Sequence, residues 1–174
     1  MAQPFLHFGA GSLTRKKGFG VKRPKKNMKR YKKPAAANIM IQNTALGGEK
    51  MFRFSGFTPR ANDAVNLAIA QACILGHTYI GSEHLLLGLL LEGSGTASVA
   101  LRQRGVAAEA VLELLVKTIG KGIQSKLSPE DLTPRCRRIL ESALAWAKRC
   151  KQGEAGTEHI LLSMLREKES YALR

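Results

Sequence analysis

The chain has 174 residues, a net charge of +15 and three cysteines. Residues 1–48 hold 11 Lys and Arg and no acid, whereas residues 54–174 hold 15 bases and 12 acids, a net charge of only +3. The high net charge therefore does not indicate a basic patch in the folded part. The cysteine number and spacing fit buried, reduced thiols better than a disulfide framework. The apolar run of residues 85–91, broken by Gly88, is too short to span a membrane.

Residues 1–50 are predicted to form a disordered basic tail. They combine Gly, Pro and Lys/Arg clusters without a sustained apolar period, so they cannot bury enough surface to offset the entropy lost on folding. The apolar core of a secretory signal is absent from this segment. A plastid transit peptide and a phosphate-backbone-binding arm stay open as alternatives to a plain solvated extension.

Residues 57–120 are predicted to form a unit of four helices. The first begins at Thr58, which caps it, with Pro59 in the first helical position, and it ends before Gly76. Ser82 is expected to cap the leucine-rich second helix. No segment alternates with period two for long enough to predict a strand. The four helices are expected over about residues 58–75, 82–92, 97–104 and 107–119.

Residues 58–92 recur without a gap as residues 133–167, a shift of 75, with 13 identities in 35 positions. Composition alone would give roughly two or three identities, so this is an internal repeat. Repeat two covers residues 132–174, after a linker of residues 121–131, and stops where its third helix would begin. The expected fold is therefore all-α, a tandem pseudo-twofold repeat of a four-helix unit with the second unit incomplete. This shortfall would expose three leucines, Leu161, Leu162 and Leu165.

Each copy opens on Thr-Pro-Arg and ends in Gly-[Ser/Thr]-Glu-His-[Leu/Ile]-Leu-Leu, and Gly-His-Thr-Tyr-Ile precedes the first such block. These motifs resemble the Clp amino-terminal repeat domain, most of all that of ClpC-type ATP-dependent Clp protease ATP-binding subunits. The resemblance covers about residues 52–174. It implies a chaperone module that recruits protein substrates and adaptor proteins to an ATPase ring and its peptidase during proteolysis and stress. A cytoplasmic location is implied, with the plastid stroma as the alternative.

The resemblance also implies two ligand sites, because ClpC-type domains read phosphorylated arginine with the glutamate of each block. Those glutamates are Glu83 and Glu158 here, and the hydroxyls of Ser82 and Thr157 would add contacts. The chemistry is suitable, since a helix start donates N–H groups to phosphate and a carboxylate pairs with a guanidinium. The same residues also suit ordinary helix caps and first-turn acids, which remains the alternative.

No catalytic site, metal site or cofactor is expected. The chain has no Gly-x-x-x-x-Gly-Lys-[Ser/Thr] motif for ATP, so it is not expected to be an enzyme by itself. His84 and His159 lack zinc-site partners and are predicted to tie the loop before each block to its helix. Trp146, the one tryptophan, is predicted at the rim of the core, with a partner contact as the alternative.

Two other functions stay open. The first is a free-standing accessory subunit of a plastid-type Clp protease core, which would co-purify with peptidase rings after cleavage of the tail. The second is a nucleic-acid-binding protein driven by the tail, whose binding would fall steeply with salt and vanish when residues 1–50 are deleted.

Overall fold

The structure is a computed structural model that describes residues 41–46, 49–124 and 126–167, with side chains described from residue 51 onward. All described residues lie in one compact unit. One turn of 3-10 helix, Pro129–Asp131, precedes the fifth helix. The elements in chain order are β1 (Ile41–Leu46), β2 (Glu49–Phe54), α1 (Pro59–Ile74), α2 (Ser82–Glu92), α3 (Thr96–Gln103), α4 (Ala108–Thr118), α5 (Pro134–Arg149) and α6 (Thr157–Arg166).

The all-α prediction is confirmed for the repeat domain, which these six helices build. The predicted start of α1 is confirmed, because Thr58 Oγ1 accepts a hydrogen bond from the Ala61 amide and a proline follows the cap. Thr133 caps α5 in the same way. The third helix of repeat two, expected near residues 170–174, lies outside the described residues.

The predicted cap of α2 is wrong by one residue. Gly81, not Ser82, is the N-cap, and Ser82 is already the first helical residue. The side chain that satisfies this helix start comes from His84, whose Nδ1 accepts a hydrogen bond from the Gly81 amide at 3.0 Å. A histidine in the third helical position here takes the place of the usual Glu or Gln of a capping box.

Residues 41–46 and 49–54 form an antiparallel pair of strands, here called the hairpin, which was not predicted from the sequence. Ile41 pairs with Phe54 at one end of the ladder and Leu46 with Glu49 at the other. The prediction of no strand is therefore wrong for these residues. The prediction of an irregular tail to residue 50 is also wrong for residues 41–46, 49 and 50.

Contacts with α1 explain why the hairpin forms without a strand-like sequence pattern. The amide of Asn66 exchanges two hydrogen bonds with the backbone of Phe52, at 2.7 and 2.8 Å. Asn62, one helical turn earlier, exchanges two with the backbone of Phe54, at 2.6 and 3.3 Å. These side chains take the place of a neighbouring strand and satisfy the backbone polar groups of β2.

Four backbone hydrogen bonds join the segment before the first helix of one copy to the loop before the second helix of the other. In the first pair, Thr58 donates to Ala155 at 3.0 Å and Ala155 donates to Gly56 at 2.7 Å. In the second pair, Thr133 donates to Ile80 at 2.9 Å and Ile80 donates to Asp131 at 3.0 Å. Adding 75 to Thr58 and Gly56 and subtracting 75 from Ala155 gives the residues of the second pair. Each copy therefore makes the same bonds to the other, as in a pseudo-twofold arrangement.

Helix α2 is the centre of the core. Every residue from Ser82 to Leu90 is buried, and the apolar stripes of α1 and α5 contribute further buried side chains. A helix that is apolar on all sides must be covered on all sides. Among the described residues no single helix has the length and apolarity to cross a membrane; only the bent pair of α2 and α3 meets both criteria together.

The predicted exposure of leucines on α6 is confirmed for two of the three. Leu162 is 40% and Leu165 56% exposed, whereas Leu161 is half-buried. Their counterparts on α2, Leu87 and Leu90, are each 1% exposed. In repeat one, α3 and α4 pack against α2 and cover this face.

Candidate functional site

A groove of about 350 Å³ lies between the two copies, beside the second Gly-Thr-Glu-His block. Thr157 and Glu158, two of the four predicted ligand residues, line it, whereas Ser82 and Glu83 belong to the other block. The lining residues come from three helix starts: Thr58, Pro59 and Arg60 at α1, Gly95 and Thr96 at α3, and Gly156, Thr157 and Glu158 at α6.

The N-caps of α1, α3 and α6 are Thr58, Gly95 and Gly156, and all three line the groove. The first N–H groups of a helix have no partner within the helix, and the aligned peptide dipoles place about half a positive charge there. All three helix starts line one volume, and their dipoles favour an anion there. The start of α3 already has a carboxylate partner, because the Gly95 amide donates to Glu92 Oε2 at 2.6 Å. This arrangement favours a phosphate or a carboxylate in the groove.

Two side chains join the walls of the groove. Thr157 Oγ1 accepts a hydrogen bond from the Ala97 amide at 3.3 Å, which connects α6 to α3. Arg60 Nη1 donates to the Ser94 carbonyl at 3.3 Å, which connects α1 to the loop before α3. The guanidinium of Arg60 also adds a formal positive charge at the rim. Both copies of the repeat are therefore needed to build the groove.

The carboxylate of Glu158 folds back over Gly156. A Cβ at position 156 would lie 2.6 Å from the Glu158 carboxyl carbon, so only glycine leaves it this room. Glu158 Oε1 lies 3.2 Å from His159 Nδ1, but that nitrogen already accepts the Gly156 amide proton at 3.0 Å. The ring therefore offers no proton to the carboxylate. With its side chain 43% exposed, Glu158 keeps acceptor capacity for a ligand.

Glu83 has the same sequence neighbours but a closed environment. Its side chain is only 8% exposed, and Ser82, which is buried, donates to its Oε2 at 3.4 Å. Burial raises the pKa of the Cys136 thiol, and the negative charge of Glu83 adds to this shift. The two blocks are alike in sequence but differ in access to solvent.

The three cysteines differ in burial, although all were predicted to be buried. Cys136 is fully buried, and Cys73 is half-buried with its sulfur accepting a hydrogen bond from the Leu127 amide. Cys150 is exposed just past the end of α5, so the prediction is wrong there. The helix ends at this residue and its side chain faces solvent.

The two block histidines tie a loop to a helix, as predicted. His84 Nδ1 accepts the Gly81 amide proton, so Nε2 carries the ring proton and donates to His77 Nδ1 at 2.7 Å. His77 Nε2 then donates to the Gly120 carbonyl at 3.0 Å, behind α4. Burial, and secondarily the proximity of His77, lower the pKa of His84 to about 4.

The sequence pattern of the Clp repeat (R) N-terminal domain matches residues 56–174, about two thirds of the chain. The chain belongs to this family. The resemblance found in the paired blocks is thereby confirmed, and the matched region of this Clp repeat domain is an N-terminal domain rather than an ATPase module.

Curated relatives of the Clp repeat domain include bacterial and chloroplast proteins. The negative regulator of genetic competence ClpC/MecB of Bacillus subtilis is 40% identical over 121 residues, which are 70% of this chain and 15% of that protein. The chloroplastic chaperone protein ClpC1 of Oryza sativa is 37% identical over 140 residues, 79% of this chain and 15% of that protein. The chain thus spans about 15% of the length of these relatives.

Solved structures show the same fold. The N-terminal domain of ClpD from Arabidopsis thaliana superimposes with a TM-score of 0.57 at 22% identity, covering 67% of this chain and 82% of that one. A ClpV N-domain in complex with a VipB peptide gives a TM-score of 0.53 at 19% identity, covering 68% and 75%.

The sequence analysis missed several residues of the groove. Arg60, Gly95 and Thr96 were not proposed as site residues. Arg60 is part of the Thr-Pro-Arg opening that both copies share, and this repeated arginine was a usable signal. Nothing in the sequence marks Gly95 and Thr96 as groove residues, because their position in the groove depends on the packing of α3 against α6.

Proposed function

We propose that this Clp repeat domain is a protein-recognition module and that its groove binds phosphorylated arginine side chains of protein segments. The observation that carries the proposal is that the half-exposed carboxylate of Glu158 lies in one groove with residues from the starts of α1, α3 and α6. The proposal gives the module no catalytic role and no cofactor. Its compartment, cytoplasm or plastid stroma, stays a prediction, as does any role within a longer ATPase subunit with a peptidase.

Phosphoarginine combines a dianionic phosphoryl group with a planar cationic guanidinium. The phosphoryl oxygens suit the N–H groups of the helix starts, the Thr157 hydroxyl and the Arg60 guanidinium. The guanidinium suits the carboxylate of Glu158, which can accept two parallel N–H bonds. A groove with only anion-binding groups would not distinguish phosphoarginine from phosphoserine, and Glu158 supplies that discrimination.

The ClpV N-domain complex supports a peptide ligand for this fold, since a VipB peptide is bound there. For the present chain we further propose one open site per module rather than two. Glu158 is accessible at the groove, whereas the side chain of Glu83 is buried and accepts a hydrogen bond from Ser82.

The test is fluorescence anisotropy with three labelled peptides that differ at one position, which is phosphoarginine, arginine or phosphoserine. The wild-type chain is expected to bind the phosphoarginine peptide most tightly, with one peptide per chain. Glu158→Gln is expected to weaken this binding by about 10- to 100-fold, the loss of a charge-assisted hydrogen-bonded pair. Glu83→Gln is the matched control and is expected to change the affinity by less than about twofold, within the effect of a buried side chain that makes no ligand contact.

Two results would overturn parts of the proposal. Equal affinity for the arginine and phosphoarginine peptides, or an unchanged affinity of Glu158→Gln, would contradict phosphoarginine recognition. If unphosphorylated casein still binds to the wild-type chain in that case, the recognition module stands without this ligand. If neither casein nor any peptide binds, the module itself is contradicted.

A further inference from the structure

The single tryptophan of the chain lies between two arginines on the surface of repeat two. The Arg166 guanidinium carbon is 4.2 Å from the centre of the Trp146 ring, and that of Arg149 is 4.8 Å from it. Trp146 is half-buried, and both arginines are exposed. Leu162, 40% exposed, lies one helical turn before Arg166 on the same face of α6. We name these four residues the Trp146 patch.

Positive charge is concentrated on α5, the helix that carries Trp146. Residues 134–151 hold six bases and one acid, a net charge of +5, so the rest of residues 54–174 carries nine bases and eleven acids, a net charge of −2. The bases near the start of α5 have partners: Arg138 pairs with Glu167 at 2.9 Å, and Arg137 donates to the Glu130 carbonyl. Within the described part of the chain, no carboxylate pairs with Arg149 or Arg166.

The equivalent surface of repeat one has a different character. The shift of 75 places Gln71, Ile74 and Leu91 where repeat two has Trp146, Arg149 and Arg166. Ile74 is 60% and Leu91 40% exposed, and none of the three carries a charge. Residues 59–76 hold one base and one acid, a net charge of zero. The repeat scaffold therefore does not require the patch, which is specific to the second copy.

We propose that the Trp146 patch docks an acidic protein segment that carries an apolar residue between its carboxylates. Each arginine can donate two parallel N–H bonds to a carboxylate. The contact with the indole ring holds both guanidinium groups in place. The exposed Leu162 would contact the apolar residue of the partner. Tryptophan and arginine are the residues that most often carry the binding energy of protein interfaces.

A protein partner fits this surface better than a nucleic acid. The patch has two arginines that pair with no carboxylate of the described residues, beside an exposed leucine, whereas a phosphate backbone requires a longer row of basic residues. It is also separate from the groove, since Arg166 ends α6 and Glu158 lies at its start, about 12 Å away at the helical rise. The inference is thus independent of the proposed function.

The test uses the full chain and a synthetic 16-residue helical peptide with glutamates spaced three and four residues apart around a leucine. Because the basic tail would also attract an acidic peptide, the readout is the emission of Trp146, which is the only tryptophan. The Glu peptide is expected to shift this emission in a saturable way at low salt, and the same peptide with Gln for Glu is expected to leave it unchanged.

Arg149→Glu with Arg166→Glu is expected to weaken the binding of the Glu peptide by about tenfold or more through charge reversal. The matched control, Arg104→Glu with Lys117→Glu on α3 and α4, changes the net charge equally and is expected to leave the affinity unchanged. Arg149→Lys with Arg166→Lys keeps the charge but is expected to retain only part of the binding, because lysine cannot form the bidentate pair.

Three outcomes would overturn the proposal. The first is an emission of Trp146 that does not respond to the Glu peptide. The second is an equal loss of affinity in both charge-reversal variants, which would show that only net charge matters. The third is a 16-nucleotide single strand that shifts the emission at lower concentration than the peptide, which would identify a nucleic-acid surface instead.

Discussion

Gly88→Ala is expected to destabilise the fold by more than about 2 kcal/mol, although alanine is the better helix former by about 1 kcal/mol. Gly88 lies in the middle of α2, where the helix crosses α1. A Cβ at this position would collide with the Ala64 carbonyl oxygen and lie 2.8 Å from the Ala68 amide nitrogen. Since these are backbone atoms, no side-chain rotation can relieve the collision, and the two helices would have to separate.

Urea denaturation followed by circular dichroism measures the effect as a lower midpoint. The matched control is Ser163→Ala, because Ser163 occupies the equivalent place on α6 and already carries a Cβ. We expect that control to change the free energy of unfolding by less than about 1 kcal/mol, the range of a single hydroxyl. A Gly88→Ala protein as stable as the wild type would show that α1 and α2 are not in close backbone contact.

Lowering the pH from 7.5 to 5 is expected to remove about 2 kcal/mol of stability through His84. Its folded pKa, about 4, lies below the value of about 6.5 for the unfolded chain, because burial disfavours the charged ring. Between these two values the unfolded state binds the extra proton. The stabilisation is therefore complete above pH 6.5 and is lost as the pH falls through 6.5 towards 4.

The relay explains why protonation is costly. With Nδ1 of His84 accepting from Gly81 and Nε2 donating to His77, an added proton would face the Gly81 N–H. Glu83 Oε1, 3.5 Å from His84 Nδ1, is the one carboxylate recorded against the ring among the described residues, and burial outweighs its attraction. The acid loss is measured as the difference in urea unfolding free energy between the two pH values.

His84→Gln is the matched variant for this experiment. Glutamine at the third helical position can still accept the Gly81 amide proton, as in an ordinary capping box, but it does not titrate. The variant is expected to lose much less stability than the wild type between pH 7.5 and 5. An equal acid loss in both proteins would assign the pH dependence to other groups and contradict the role of His84.

The helices and the family were accessible from the sequence because they depend on local rules and on repetition. The start of α1 is predicted by Thr58 and Pro59, and the start of α5 by Thr133 and Pro134. The 75-residue shift predicts which segments correspond. The caps were less predictable. The sequence alone favours Ser82 as a cap, and only the folded loop shows that Gly81 takes this position with His84 as its partner.

The hairpin and the exposure of the site were decided by tertiary contacts. β2 is held by Asn62 and Asn66, whose amides replace a strand neighbour, and no periodicity within residues 41–54 reports this. Likewise, Glu83 and Glu158 have matching neighbours in the sequence, so the difference in their exposure cannot be predicted from it.

By itself, the sequence determined the family, the all-α repeat and the residues of the two Glu-His blocks, because helix signals and internal identity are local properties of the chain. Only the tertiary structure decided that the starts of α1 and α3 line the groove beside Glu158 and that the side chain of Glu83 is buried. The exposure of a side chain and the set of helix starts around it depend on which segments pack beside it. The two copies of the motif differ in these respects because they have different neighbours in the folded domain.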